Sequence, residues 1–337
     1  MSKDNTTVDP RKTSYNVTLV TLSGKKYRIN KVIEDLGWSE NNGEIATKIS
    51  FKASNEKTKK GALSSLCKPG STIIVTANIG NGSIEVARGK VLSWKNILDN
   101  GSKTLDVIAY DNLYNLQKSQ DYFLFAKGKT AKYRIEQVLG KWGMQISSYK
   151  GPKCRLGKKK YEARYLSDIL MDILKKAGNK DSKKYIIRGT KGKIEVVERG
   201  SNKDVYLFDS SNSISRERSL DALNIVTKVK IVGKAKDAGT PKTISVVKGD
   251  TKKYGTLQQI YNKSDDESAS EAKKTAKGII NKQGKIQQEG QIQALDVPFL
   301  RKGDRVKLNL GTLKGFYYVT SVSHDADDKT MTFSVKK

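Results

Sequence analysis

Apolar and polar residues alternate along YNVTLVTLSGKKYRIN (15–30) on either side of Ser23-Gly24. A period of two broken by a turn pair predicts a β-hairpin. The same alternation returns in GEIATKISFKAS (43–54), GSTIIVTANI (70–79), IEVARGKVLSWKNIL (84–98) and KTLDVIAYDNLYNL (103–116), while KVIEDLGWSE (31–40) is too short and Gly-broken for a long helix. Short strands parted by Gly, Asn and Ser turns predict a closed barrel or a sandwich.

From about residue 121 the period lengthens. KTAKYRIEQVLGKWG (129–143) gathers Tyr133, Ile135, Val138, Leu139 and Trp142 on one helical face, with Thr130 as N-cap and Gly140 or Gly143 as the stop. RYLSDILMDILKKAG (164–178) carries the clearest helical stripe, Leu166, Ile169, Leu170, Ile173 and Leu174, ending at Gly178. KYIIRG, KIEVVER and DVYLFDS then predict a small sheet, and RSLDALNIVTKVKIVGK (218–234) a return to strand. Ser264 with Glu267 forms a capping-box pattern that predicts a helix over about 265–283, and strands follow to the end.

Two parts of the chain superimpose in pattern. Gly70-Ser-Thr-Ile73 lies over Gly303-Asp-Arg-Val306, Leu92-Ser93-Trp94 over Val322-Ser323-His324, and the return strand from Thr104 over that from Thr330. The simplest reading is a duplicated barrel-type domain. The predicted class is therefore α+β and β-rich: two similar antiparallel β-barrel domains, a mixed α/β domain between them, and a helical excursion before the last strands. Its divisions are a polar tail (1–14), a first barrel (15–120), the α/β domain (121–210), a second barrel (211–235 and 292–337) and a connection (236–291) bearing the helix.

With 337 residues, 36% of them hydrophobic, the chain can bury real cores, and no stretch approaches the roughly 18 apolar residues that a membrane span needs. Nothing in the polar N-terminus resembles a secretion signal, so stable membrane insertion is not expected. A net charge of +29 attracts polyanions in general. However, only 12 of the 64 basic residues are arginine, which argues against bidentate reading of bases. The densest lysine groups, Lys57 with Lys59 and Lys60 and the triplet Lys158 to Lys160, sit in Gly-flanked, loop-like stretches and read as solvated surface. Cys67 and Cys154 are far apart and are expected as free thiols.

Candidate chemistry is sparse. His324 is the sole histidine and is followed by Asp325, Asp327 and Asp328, yet one histidine cannot supply H-E-x-x-H or a three-His zinc site. If the overlay puts Trp94 at the same position, a structural ring is expected there and the aspartates become turn residues. Asparagine should then replace His324 without harming assembly, whereas charge at Val322 or Phe333 should disrupt the second barrel. Gly128-Lys129-Thr130 ends like a phosphate loop but has Phe123 where the first glycine belongs. A dyad of Cys67 or Cys154 with His324, or a carboxylate pair using Glu34 or Asp172, has no local signature; a cell-wall hydrolase stays open as the enzymatic alternative, and a basic nucleic-acid binder as a second.

The stretch 104–143, with Ala109-Tyr110-Asp111, a leucine-rich link and Lys129-Thr130-Ala131, resembles the junction after the first barrel in hub proteins of contractile phage tails, those of PBSX-like prophages and phage-tail-like bacteriocins. LRKGDRVKLNLGTLKGFYYVTSVSHD (300–325) is similar to the last barrel strands of that family, and KKYGTLQQIYN (252–262) to its approach to the final helix. The resemblance implies a non-enzymatic homotrimeric baseplate hub that adapts a sixfold tail tube protein to a threefold central spike protein. It would touch wedge or LysM-type baseplate proteins, allow DNA through its lumen, assemble in the bacterial cytoplasm and leave on lysis. It also marks Gly70, Trp94, Tyr110, Asp111, Gly303, Asp304, Tyr318 and His324 as structural barrel positions, and implies no catalytic, cofactor or metal residue. No spike or lysozyme domain is evident after Lys337, so those functions are expected of separate proteins.

Overall fold

The computed structural model describes residues 12–57, 61–80, 82–99, 101–234, 239–265 and 267–337. Most of the polar tail, and Lys59, Lys60 and Asp266, lie outside the described residues. The predicted hairpin is β1 (Ser14–Val20) and β2 (Lys26–Arg28). It is followed by β3 (Ile33–Glu40), β4 (Thr47–Ser54), a single helical turn α1 (Leu63–Leu66), β5 (Thr72–Asn78), β6 (Ser83–Asp99) and β7 (Ser102–Tyr110). These strands pair antiparallel in the order β3-β4-β7-β6-β5-β1-β2. Strands from both ends of that order, Val17 and Leu19 on β1 and Leu36 and Trp38 on β3, share one core with Phe51, Ile73, Val91 and Val107. The alternating apolar face thus curls round its own interior, each such side chain contributing roughly 1.5–3 kcal/mol by leaving water.

Past Tyr110 the expected strand ends. Asp111 caps a turn that leads into α2 (Tyr114–Lys118), then β8 (Gln120–Phe125), α3 (Ala131–Gly140), β9 (Ile146–Tyr149), β10 (Lys159–Tyr165) and α4 (Leu166–Asp181). Thr130 caps α3 through its side chain, as its position before the apolar stripe requires. Gly178 does not stop α4, which runs on to a left-handed Ser182; a Cβ at Gly178 would collide with the Lys183 carbonyl. Lys159 and Lys160 open β10 and are not loop residues. β11 (Tyr185–Thr190) and β12 (Lys193–Glu198) pair with each other, and β9 joins β12 in parallel. DVYLFDS departs from this small sheet: its β13 (Leu207–Phe208) pairs with a strand near the C-terminus.

The segment 211–235 also divides. β14 (Ser213–Asp221) belongs to the large sheet, whereas β15 (Lys228–Val232) forms a separate sheet with β16 (Thr243–Lys248) and, after the turn α5 (Thr251–Tyr254), with β17 (Gln258–Asn262). Helix α6 (Ala269–Gln283) covers that sheet, burying Ala272 and Ala276 against Val229 and Ile231. Residues 228–232 therefore do not join the second barrel as expected: Val229 and Ile231 pack against α6, whose small residues accept them. The capping box is real but lies one turn later than expected, on Ser268 and Glu271.

The chain closes with β18 (Gln287–Leu295), β19 (Arg305–Leu310), β20 (Leu313–Asp325) and β21 (Thr330–Lys336). The order β14-β18-β21-β20-β19 reproduces β3-β4-β7-β6-β5 strand for strand. Detail agrees as well. Gly70 N–H donates to Val91 O at 2.7 Å and Gly303 N–H to Val319 O at 2.9 Å, both glycines having φ above +90°. A bulge follows in each long strand, with Leu92 extra in β6 and Thr320 extra in β20. The bulges correct the sequence overlay. Trp94 faces Val107, and Val322 faces Phe333 at the equivalent place, so Trp94 corresponds to Val322 and not to His324. A slip of two residues keeps every side chain on its face, so alternation could not detect it.

Among the described residues the hydrogen-bonded path runs open from β14 to β2. The two five-stranded units meet where β20 pairs with β3.

Candidate functional site

Two buried polar clusters lie where the units meet. In the first, the antiparallel register sets His324 opposite Trp38, and the rings stack with centroids 4.6 Å apart and planes 11° from parallel. Tyr15 on β1 packs edge-on against Trp38 at 5.3 Å. The His324 Nδ1 lies 2.6 Å from Asp296 Oδ1 and its Nε2 3.1 Å from the Leu300 carbonyl, while the Tyr15 hydroxyl donates to Asp296 Oδ2. A carbonyl oxygen can only accept, so Nε2 carries a proton. Burial and the neighbouring carboxylate push the Tyr15 phenol far above its ordinary range, which keeps it a donor. His324 is 3% exposed and Asp296 1%. With both ring nitrogens engaged and the side chain buried, the histidine clamps the strand to the segment that carries Asp296 and Leu300.

The second cluster joins three parts of the chain. Glu40, at the end of β3, accepts from Arg301 Nε at 3.0 Å and from Arg301 Nη2, from the Lys302 backbone N–H at 2.8 Å and from Thr47 Oγ1 at 3.2 Å. Burial alone would raise its carboxyl, but the Arg301 and Lys302 charges and hydrogen bonds outweigh burial and hold it at about 2. Arg301 also donates to Thr190 Oγ1 and Gly189 O on β11. Asp304 accepts from the Arg301 backbone N–H at 3.0 Å and from Arg188 Nη1 at 3.2 Å, and Arg188 continues to Glu195 at 2.8 Å. Asp111 completes the group, receiving the N–H of Thr47 at 3.1 Å and of Leu113 at 3.0 Å. Its burial outweighs these bonds and pushes its carboxyl up to about 6. Such fully engaged networks fix a unique arrangement of the elements that they connect.

The eight residues singled out from sequence fall into three places. Asp111 and Asp304 both belong to the Glu40–Arg301 cluster, and His324 forms the first cluster. Gly303 lies in the turn before β19, beside the α/β module: the Gly200 N–H donates to its carbonyl at 2.7 Å, and a Cβ there would collide with Ile186. Nearby, Arg199 lies over the Tyr318 ring at 4.7 Å. Gly70 and Trp94 belong to the first unit alone, and Tyr110 stacks on Tyr114 at 4.3 Å at that unit's exit. Sequence reasoning missed Glu40, Arg301, Tyr15, Trp38 and Asp296. Arg301 had a signal, since arginine is scarce in this lysine-rich chain and its planar fork suits a fixed buried pair.

Two more of the groups weighed for catalysis are engaged or shielded by the fold. Asp172 accepts from Tyr161 at 2.6 Å and pairs with Lys176 at 2.7 Å. Cys67 is buried in the first core, and burial pushes its thiol up to about 11, away from a reactive thiolate. Among the described residues no three His, Cys, Asp or Glu side chains stand so as to hold a metal ion. No described helix is long and apolar enough to cross a membrane.

The fold recurs in solved structures. A tail protein from Neisseria meningitidis MC58 matches with a TM-score of 0.68 at 16% identity, over 96% of this chain and 97% of that one. The 43 kDa tail protein of prophage MuSo2 from Shewanella oneidensis matches with a TM-score of 0.68 at 16% identity, over 96% and 98%. The E. coli c3393 protein, a component of the type VI secretion system described as structurally similar to the T4 tail proteins gp27 and gp5, matches with 0.52 at 10% identity, over 96% and 74%. No curated protein matches the sequence. The model of the YQBQ-like family matches residues 36–336.

Proposed function

The chain belongs to the YQBQ-like family, and from that premise we propose that it is the non-enzymatic structural hub of a contractile phage tail or tail-like particle. Three copies form a ring that seats a sixfold tail tube on one face and a threefold central spike on the other. The observation that carries this reading is the duplicated five-stranded unit with its paired glycine turns and bulges. Two similar units per chain give six similar positions in a trimer, which is what a joint between sixfold and threefold parts requires. The tail-protein names of two of the solved structures that share the fold support the same setting. The α/β module, from β8 to β12, faces outward to wedge or LysM-type baseplate proteins, and the particle assembles in the bacterial cytoplasm. The basic charge serves acidic partners or DNA passing the lumen.

The test is imaging of purified particles by cryo-electron microscopy with the subunit identified by mass spectrometry. Threefold density between tube and spike that fits this chain is the expected result. Absence of the chain from the particle, or a sixfold ring with one chain per position, overturns the reading. Lysis of peptidoglycan by the purified chain in a zymogram would instead restore the hydrolase alternative.

A further inference from the structure

The junction between the two units is a template for one that the single chain leaves open. Within the chain, the far half of β20 extends beyond β19 and pairs antiparallel with β3, Val322 opposite Glu40 and Asp325 opposite Gly37. The bulges make Trp94 to Ile97 of β6 the counterpart of Val322 to Asp325. This stretch likewise extends beyond β5, which pairs with β6 only as far as Lys90. Among the described residues, its second edge has no strand partner.

The other half of the template is also present. Register through β4 and β18 makes Glu217 to Leu220 of β14 the counterpart of Gly37 to Glu40 of β3, since Gly37 faces Ser50 and Trp38 faces Ile49, as Glu217 faces Gln291 and Arg218 faces Gly290. β14 ends the sheet, and Glu217 to Leu220 are exposed on both faces of the strand. Leu220 is 57% exposed, an unusual cost for a leucine on a free sheet edge.

We infer that Trp94–Ile97 of one copy pairs antiparallel with Glu217–Leu220 of the next, repeating between chains the junction that β20 and β3 make within each chain. This rests on the proposed trimeric hub and names the strands that build it. The register sets Trp94 opposite Leu220, Lys95 opposite Ser219 and Asn96 opposite Arg218, and brings Lys95 diagonal to Glu217. The contact is head-to-tail, so it propagates from copy to copy and closes into a ring of alternating internal and external junctions. The two kinds of junction differ in chemistry: the stacked Trp38 and His324 of the internal one are replaced by Asn96 and Arg218, a wetter pair suited to subunits that meet after folding.

Cysteine pairing in assembled particles tests the register. Lys95→Cys with Ser219→Cys puts two thiols directly opposite, within the span of a disulfide, and oxidation should yield covalent trimers on a non-reducing gel. Each single variant should stay monomeric there, a mixture of the two single variants should stop at dimers, and Lys95→Cys with Ser215→Cys, off register, should cross-link about tenfold less. Leu220→Lys should loosen the purified trimer by about fivefold, the fold-change carried by one cross-strand pair. Threefold density without cross-linking at 95 and 219 overturns the strand assignment and leaves the hub in place. Imaging that finds no trimer overturns both.

Discussion

Trp38 and His324 lie face to face, 4.6 Å apart, although almost the whole chain separates them. The stack holds the two sheet units in register, and the Asp296 carboxylate beneath it is shared between the imidazole and the Tyr15 hydroxyl. The sequence alone predicts that asparagine is tolerated here for assembly; the seam adds a predicted cost in stability. His324→Ala should lower unfolding free energy by about 2–4 kcal/mol, combining a lost ring stack with a buried carboxylate deprived of a donor, and His324→Asn by about 1–2 kcal/mol. Urea unfolding followed by tryptophan fluorescence measures both; an unchanged midpoint for His324→Ala would deny the seam any role in stability.

Glu40 and Asp111 should give stability opposite slopes with pH. Glu40 is held at about 2, below its ordinary 4.5, so its contribution is complete above about 4.5 and disappears as pH falls through 2. Asp111 is raised to about 6 from 3.8, so the folded state favours its protonated form; that contribution is complete below about 3.8 and lost as pH rises through 6. Asp111→Asn should abolish a decline of about 3 kcal/mol between pH 4 and 6, and Glu40→Gln the rise between pH 2 and 4.5, in chemical-denaturation series across pH.

The two turn glycines should respond unequally to alanine. Both have φ above +90°, which costs a side chain about 1–2 kcal/mol. At Gly70 the new Cβ meets only the tip of Leu22, an exposed and movable side chain. At Gly303 it collides with Ile186 of the α/β module, so Gly303→Ala should cost at least about 1 kcal/mol more than Gly70→Ala. Thermal melts of the two variants decide the order.

Binding to duplex DNA should be indifferent to sequence and should weaken steeply with salt, because lysine supplies most of the +29 charge. Anisotropy titrations with two unrelated duplexes at rising salt test this. Affinity that distinguishes the duplexes at moderate salt would favour the nucleic-acid reading over the structural one.

The duplication was legible because period-two alternation and turn glycines are local signals, and Gly70 and Gly303 mark the same turn in both units. The slip of Trp94 onto His324 was not avoidable by the same means, since alternation repeats every two residues and the bulges at Leu92 and Thr320 leave no compositional trace. Strand membership failed for a related reason. Nothing in Lys228–Val232 says which sheet it joins; α6 decides that through Ala272 and Ala276. The buried clusters were legible only at Asp111, Asp304 and His324, because Glu40 and Arg301 acquire meaning only once distant segments are brought together.

The partnership of β20 with β3 also sets an order in time. As the chain leaves the ribosome, β3 can pair with β4 early, but its other edge has to wait until the last strands emerge. The first unit therefore passes through synthesis with one flank unsealed, and the finished double unit appears only after β20 arrives. A partner that recognises both units together therefore finds its surface only once synthesis is complete.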